Sequence, residues 1–454
     1  MTQAPATQQQ TVTPAQARAT GIPAGLTTAA APPPPTIKAR TSRAAGTVQR
    51  ALAGTPGRLR LAAVASVLAS LAFGLVAGLV FRNVDAGLGY AEANAAQLIR
   101  IQAINTNLMR ADAAATNAFL VGGLEPAAVR ADYTAAVGQA TTLIAEAARA
   151  QPADGRALAA LNQTLVSYTG LVESARANNR QGLPVGAQYL RIASADLRAQ
   201  ALPLLSNLLE ANQARTTDET GAAGRQQLWL VAALLAFVAV VVISAVWLAR
   251  RTKRVLNLPL TVGAVAVVAV AVAGWSLLNS VSTAVATAQR TTYQRTLDAA
   301  QARIAAFDAK SNESLTLINR GSGAAQEAAW KARAAIALAG SQAVDDGTRS
   351  TRLAPAWQRY AEVHRQVRTL DDGGDWNRAV TLATTAAATG ANAAFDGYDT
   401  ASGQALTAAG REFTASLADQ RRLLPFLGWL GLLAGLGAAV GSWYGVSLRL
   451  EEYR

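Results

Sequence analysis

Four runs of residues, 61–81, 228–249, 258–281 and 423–448, carry no charged side chain and are apolar on nearly every face a helix would present. Each reaches the roughly 20 residues that carry a helix across a bilayer core. A core helix of a soluble protein keeps a polar stripe for water, so helices apolar all round at this length point to lipid. The chain therefore reads as an all-α membrane protein with transmembrane helices at 58–81, 228–249, 258–281 and 423–448. The first run is not a cleaved signal peptide, because its apolar stretch is too long, about sixty residues precede it, and no small-residue cleavage site follows. The uncharged spans argue against a proton-coupled transporter or ion pathway. Trp229, Trp247, Trp429 and Trp443 lie toward span ends, where interfacial anchors belong.

The formal net charge of +13 resembles a nucleic-acid footprint until its location is read. Arg18, Lys38, Arg40, Arg43, Arg50, Arg58 and Arg60 precede the first span with no acid among them, and Arg250, Arg251, Lys253 and Arg254 fill the short link between the second and third spans. Basic residues beside spans mark the cytoplasmic side, so the charge implies no nucleic-acid partner. It places the N-terminus, the loop 250–257 and the tail 449–454 in the cytoplasm, and regions 82–227 and 282–422 outside. Arg421 and Arg422 lie on the outer side of the last span, with Glu412 and Asp419 nearby to offset them. Residues 1–57 are rich in Ala, Thr, Gln and Pro, including Pro32-Pro33-Pro34-Pro35, and lack the large apolar residues a core needs, so a disordered basic tail is expected. Lys38 to Arg60 is expected to lie against anionic headgroups, and Thr11 and Thr13 are candidate phosphosites.

Both outer regions have helical periodicity. In the first, Leu98, Ile101, Ile104 and Leu108 recur at three- and four-residue spacing. Breaks fall at Val121-Gly122-Gly123-Leu124-Glu125-Pro126, Gln151-Pro152-Ala153-Asp154-Gly155 and Asn178-Asn179-Arg180-Gln181-Gly182-Leu183-Pro184, with Pro126 and Pro184 placed as first-turn prolines. That gives four helices. The outer two, of about forty residues each, would reach about 60 Å and run without a breaker into the spans. The second region repeats the plan, with breaks at Asn319-Arg320-Gly321-Ser322-Gly323, Asp345-Asp346-Gly347 and Asp371-Asp372-Gly373-Gly374-Asp375. Leu161 and Leu353, Tyr168 and Tyr360, Gly182 and Gly374, Ala187 and Ala379, and Leu190 and Leu382 align at one constant spacing. Two extracytoplasmic four-helix bundles in tandem, made by internal duplication, are expected.

The sequence carries no motif for catalysis. With no cysteine there is neither disulfide nor thiolate site, and with His364 as the one histidine no multi-histidine metal site can form and His364 alone is left as a candidate base. His364 is expected to be a solvated or capped helix residue. The Asp345-Asp346 and Asp371–Asp375 clusters lack calcium-loop spacing and read as loop caps. Gly428, Gly431, Gly435, Gly437 and Gly441 read as a helix-packing face. Neither an enzyme nor a cofactor is expected. Mid-bundle polar residues, Asn105, Arg110, Arg191 and Arg198, are the ligand candidates, since Arg with amides nearby suits a carboxylate. Gly122, Gly123, Glu125, Asn179, Arg180, Arg320, Asp371, Asp372, Asp375 and Trp376 cluster at the membrane-distal tips, where they suit docking a protein partner. Arg250, Arg251, Lys253, Arg254, Arg449 and Arg454 form the cytosolic contact set.

Each span-bundle-span unit resembles the four-helix sensor module of bacterial chemoreceptors and histidine kinases, which implies a helix displacement carried across the membrane. Such modules act as dimers, so two units in one chain are expected to supply the pair internally, with a homodimer as the other arrangement. The whole layout, from basic N-terminus through tandem outer regions and basic central loop to a short charged tail, is similar to the GlnX family of actinobacterial four-span membrane sensors. That resemblance implies a cue of amino-acid availability, glutamate or aspartate, received through a solute-binding lipoprotein of the GlnH type. It implies relay to a soluble serine/threonine kinase of the protein kinase G type. The competing expectation is an envelope scaffold or transport-associated membrane protein that carries no signal.

Overall fold

The computed structural model describes residues 55–121, 125–252, 257–347 and 352–451. The tail 1–57 and its candidate phosphosites lie outside the described residues apart from the first residues of the first helix. Among the described residues the structure is all helical, and four helices are long and apolar enough to cross a membrane.

Helix α1 (Thr55–Val121) runs unbroken from its apolar start through the segment where Leu98, Ile101, Ile104 and Leu108 turn a single buried face inward. It is followed by α2 (Ala127–Ala150), a single 3-10 turn, and α3 (Gly155–Arg180). Pro126 holds the residue before α2 with extended backbone, one position ahead of the first-turn site expected for it. Helix α4 (Val185–Asp196) passes through a π-turn, Leu197–Ala201, into α5 (Leu202–Thr252). The cause lies in Pro203, which cannot donate to the carbonyl of Ala199 and whose ring crowds it. The widened turn just ahead absorbs both effects without ending the helix.

The second half begins with α6 (Leu258–Ala288), which continues through a second π-turn, Gln289–Tyr293, into α7 (Gln294–Ile318). Helices α8 (Ala324–Gly347) and α9 (Leu353–Asp372) follow. Asp345 caps α9 by accepting from the backbone N–H groups of Leu353 and Ala354, each at 2.9 Å. The last arm is not the continuous helix its sequence suggests. It divides into α10 (Trp376–Thr384), α11 (Ala391–Arg421) and α12 (Leu424–Glu451). Asn392 closes the first gap by donating to the carbonyl of Thr384 at 2.8 Å. The second gap falls where Pro425 cannot donate to the carbonyl of Arg421.

The four apolar helical segments form one cluster. Phe73 of α1 meets Phe237 of α5 with ring centroids 5.9 Å apart, and a Cβ on Gly274 of α6 would come within 2.7 Å of Phe81. Leu68, Leu75, Leu235, Ile243, Val265 and Leu433 point outward, exposed, as side chains facing lipid should. The glycines of α12 divide by neighbour. A Cβ on Gly435 would sit 2.6 Å from the Cα of Gly74 and one on Gly431 2.8 Å from the Cβ of Ala77, whereas Gly441 lies against Pro259 and Gly437 faces open space. Close backbone approach of this kind is what small residues permit between membrane helices. Gly435→Leu is therefore expected to cost about 1–3 kcal/mol through overpacking, while Gly437→Leu is neutral. Thermal denaturation of both variants in mild detergent checks the contrast, and equal behaviour would contradict the packing described.

Beyond the spans, the helices of the two halves share one core. Leu108, Leu161, Tyr168 and Leu190 belong to the same buried cluster as Ala306, Trp357, Tyr360 and Tyr398. The first helix of one half packs on the first and last helices of the other, as Asp112 with Ser311 and Arg110 with Asp399 show. Within the second half a small residue sets the helix spacing: a Cβ on Gly340 of α8 would come within 2.9 Å of the Cβ of Ala302 on α7. Near the membrane Arg421 of α11 reaches Asp85 and Glu92 of α1 at 3.0 and 3.1 Å, so its charge is met by these two residues and not by Asp419 or Glu412.

Candidate functional site

Two polar networks lie inside the shared core. The first is built on Asp112 of α1, which is fully buried. Its carboxylate accepts from the hydroxyls of Ser194 at 2.5 Å, Ser311 at 2.6 Å and Tyr168 at 3.4 Å, and Arg198 Nη2 lies 2.9 Å away. Arg198 also reaches Asp308 of α7, with Nη2 at 2.7 Å and Nε at 2.8 Å, and Arg333 meets the other oxygen of Asp308 at 2.7 Å. One guanidinium thus bridges a carboxylate from each half. Burial works against its charge, and Asp112 and Asp308 more than offset this, raising its pKa. The π-turn caused by Pro203 is the segment that presents Arg198.

The second network centres on Glu313 of α7, 1% exposed. Lys310 Nζ and His364 Nδ1 each lie 2.7 Å from its carboxylate, and His364 Nε2 lies 3.3 Å from Glu327. Trp330 stacks flat on the imidazole at 3.6 Å, and Lys310 also donates to the carbonyl of Ala383 at 3.3 Å. Burial alone would raise the Glu313 pKa, but Lys310 and His364 pull it down to about 2. Burial likewise opposes charge on His364, and the Glu313 carboxylate that Nδ1 meets, with the negative charge of Glu327, outweighs it and holds its pKa above the ordinary value. The solvated or capped histidine expected from sequence is thus a buried, ion-paired one. Its counter-charges come from helices that lie far away in the chain.

A further buried carboxylate, Asp154, sits nearer the apolar helical segments. It accepts from Asn212 at 2.8 Å, from Gln97 at 3.2 Å and from Arg215 at 3.0 Å, tying α5 to α1 and the turn before α3. Among the described residues no group of three or more His, Asp or Glu is placed to hold a metal ion.

The four ligand candidates do not converge. Arg198 is the bridge just described. Arg110 lies 3.8 Å from Asp132 and 4.0 Å from Asp399, on the opposite side of α1. Arg191 is exposed and donates to Asn319 at 3.1 Å, and Asn105 is buried with its carbonyl oxygen unpartnered among the described residues. The tip residues are engaged locally. Glu125 pairs with Arg176 at 3.0 Å, Asn179 donates to the carbonyl of Phe119 at 3.1 Å, and Arg180 is exposed. Arg320 takes a left-handed backbone, φ 38°, that lays its guanidinium 4.0 Å over the Trp376 ring, while Trp376 donates to the carbonyl of Leu317 at 2.9 Å. Asp371 and Asp372 pair with Arg368, and Asp375 caps α10 by accepting from the Arg378 N–H. Gly122, Gly123, Lys253, Arg254 and Arg454 lie outside the described residues, as do the side chains of Arg251 and Arg449. Arg250 is exposed at the end of α5.

Asp112, Asp308, Lys310, Ser311 and Glu313 were not singled out by sequence. The signal for the α7 group is the run Asp308-Ala309-Lys310-Ser311-Asn312-Glu313-Ser314, polar on every face of a helix in mid-bundle yet buried throughout. Such a run needs partners supplied by other helices.

These features define a helical protein with four helices of membrane-spanning character and a polar core joining its two halves. Residues 88–221, from α1 to α5, match the family described as an actinobacterial sensor domain, which supports a sensing role. That stretch holds Asp112 and Arg198 but not Asp308. No curated protein and no solved structure matches the chain.

Proposed function

We propose that the chain is a non-enzymatic transmembrane sensor. In this reading the termini and the basic loop 250–257 are cytoplasmic, and the two inter-span regions lie outside. A cue received there shifts α1 and α11 relative to one another, and the shift travels along helices into the spans. The observation that carries the reading is the continuity of α1, 67 residues from span to tip, locked to the other half at Asp112. Asp85 and Glu92 grip Arg421 lower down the same helix, so a displacement at the core would be felt at the membrane. The family match over residues 88–221 supports the sensing role.

Internal duplication accounts for the two halves. In the loop after α3, Leu183 N–H bonds the carbonyl of Asn178 around Gly182 at φ 67°, and after α9, Asp375 N–H bonds the carbonyl of Leu370 around Gly374 at φ 84°. The same cap recurs at aligned positions, and the aligned pairs Leu161 and Leu353, and Tyr168 and Tyr360, are all buried. The cue is glutamate or aspartate, delivered by a solute-binding lipoprotein docked at the tips. Output passes through the basic loop to a cytosolic serine/threonine kinase.

The cysteine-free chain makes disulfide trapping a clean test. Ile99 and Gly410 face each other across α1 and α11, with a Gly410 Cβ 3.5 Å from the Cδ1 of Ile99. In cells carrying Ile99→Cys with Gly410→Cys, supplying glutamate and aspartate is expected to change the crosslinking rate severalfold. A rate indifferent to these amino acids would favour the scaffold reading.

A further inference from the structure

A groove of about 360 Å³ lies between α1 and α12, where the apolar run of one helix ends and that of the other begins, within the size range of ligand sites. Leu75, Leu79 and Arg82 line it from α1, and Trp429 and Leu432 from α12. Spacings of three and four put each set on one helix face, so the groove follows both helices for about two turns, roughly 10 Å. The glycines fix the depth of each wall. A Cβ on Gly428 would lie 3.5 Å from the Cβ of Phe81, which sets Trp429 level with Arg82. One on Gly78 would lie 3.0 Å from the Cγ of Leu432, a turn further into the apolar segment.

The groove is polar at its rim and apolar below. At the rim Arg82 is the first charge after the uncharged run 61–81, is exposed, and forms no ion pair among the described residues. Asp85, a turn away on α1 and the one acid in the lining, is already held at 3.0 Å by Arg421. Trp429, 68% exposed, adds an indole N–H with no partner among the described residues. Below the rim Leu75, Leu79 and Leu432 offer only hydrocarbon. An anion without a tail would leave these walls bare, and a zwitterionic headgroup would bring an ammonium that finds no free carboxylate. We propose that the groove holds one anionic phospholipid, its phosphate forked by Arg82 and an acyl chain laid between Leu79 and Leu432. Pro425, at the gap between α11 and α12, lines the same groove, so the lipid would brace the two arms beside the point where Arg421 ties them. The proposal rests on α1 and α12 crossing a bilayer.

The test is native mass spectrometry of the full chain released from mild detergent, with phosphatidylglycerol as probe and phosphatidylcholine of the same acyl chains as comparator. One phosphatidylglycerol per chain is expected to bind about fivefold or more tightly than phosphatidylcholine, and Arg82→Gln to abolish that preference. Arg82→Lys, which keeps the charge without the fork, is expected to retain part of it. Arg82 is exposed, so both substitutions leave the fold intact, which an unchanged thermal midpoint verifies. Arg422→Gln, which removes an exposed charge at the same end of the apolar segments, is expected to leave the preference unchanged. Glycerol phosphate in large excess should not displace the lipid. Equal affinity for the two lipids, a preference that survives Arg82→Gln, an equal loss in Arg422→Gln, displacement by glycerol phosphate, or a dimer that binds no lipid would each overturn the proposal. Membrane insertion is judged separately. A chain that carbonate extracts from membranes sinks the spanning reading, whereas one that stays inserted and shows no preference for phosphatidylglycerol sinks the groove alone.

Discussion

Arg198→Ala is expected to destabilise the protein by about 3–5 kcal/mol, the cost of removing one partner from a buried ion pair. Asp112 is fully buried and Asp308 nearly so, and the substitution leaves two carboxylates facing each other across the halves without the guanidinium between them. The hydroxyls of Ser194, Ser311 and Tyr168 still donate to Asp112, and Arg333 still meets Asp308, so the loss should sit within that range and not exceed it. Adding Asp112→Asn and Asp308→Asn to Arg198→Ala removes the uncompensated charge and is expected to recover much of the stability. Denaturant titration in mild detergent measures both. A single variant as stable as the parent would mean that Arg198 does not join the halves.

The second large effect belongs to Glu313. Glu313→Gln leaves Lys310 buried without its carboxylate and His364 with Glu327 alone, a loss expected at about 3–5 kcal/mol near neutral pH. The pH dependence follows from the shifted groups. The Glu313 pKa falls from 4.5 to about 2 on folding, so its contribution, about 3 kcal/mol, is present above about pH 4.5 and lost as pH falls toward 2. The His364 pKa rises on folding from 6.5, so its contribution is present below about pH 6.5 and lost as pH climbs through the raised value. These two groups together give greatest stability between about pH 4.5 and 6.5, with a decline on each side. In Glu313→Gln the acid limb loses the Glu313 part and the alkaline limb shrinks. Near-ultraviolet circular dichroism of the Trp330–His364 stack follows both limbs, and an unchanged alkaline limb would show that Glu313 does not hold the proton on His364.

The parts of this architecture legible from the sequence were those that depend on local pattern. Uncharged runs of bilayer length are visible without a partner, and so is the three-and-four spacing of Leu98, Ile101, Ile104 and Leu108. Asp345 and Asp375 as caps could be read because a cap bonds to backbone a few residues away. The shared core could not be read. Asp112 is one acid in an alanine run, and what makes it structural is Ser311, whose place opposite it follows from how two halves dock. His364 was misread for the same reason, since a helix histidine looks solvated until Glu313, Glu327 and Trp330 arrive from other helices. The breaks after Thr384 and at Arg422 show the limit on the other side. Pro425 was visible, but whether a proline bends or ends a helix depends on what is packed beside it.

The Asp112–Arg198–Asp308 bridge ties the two halves together inside their shared core. Hydrogen–deuterium exchange on the full chain, parent against Arg198→Ala, measures that coupling. Faster exchange in residues 105–118 and 306–317 together, one stretch from each half and neither containing Arg198, is the expected result. Exchange raised only around 190–205, with both stretches as protected as in the parent, would contradict it.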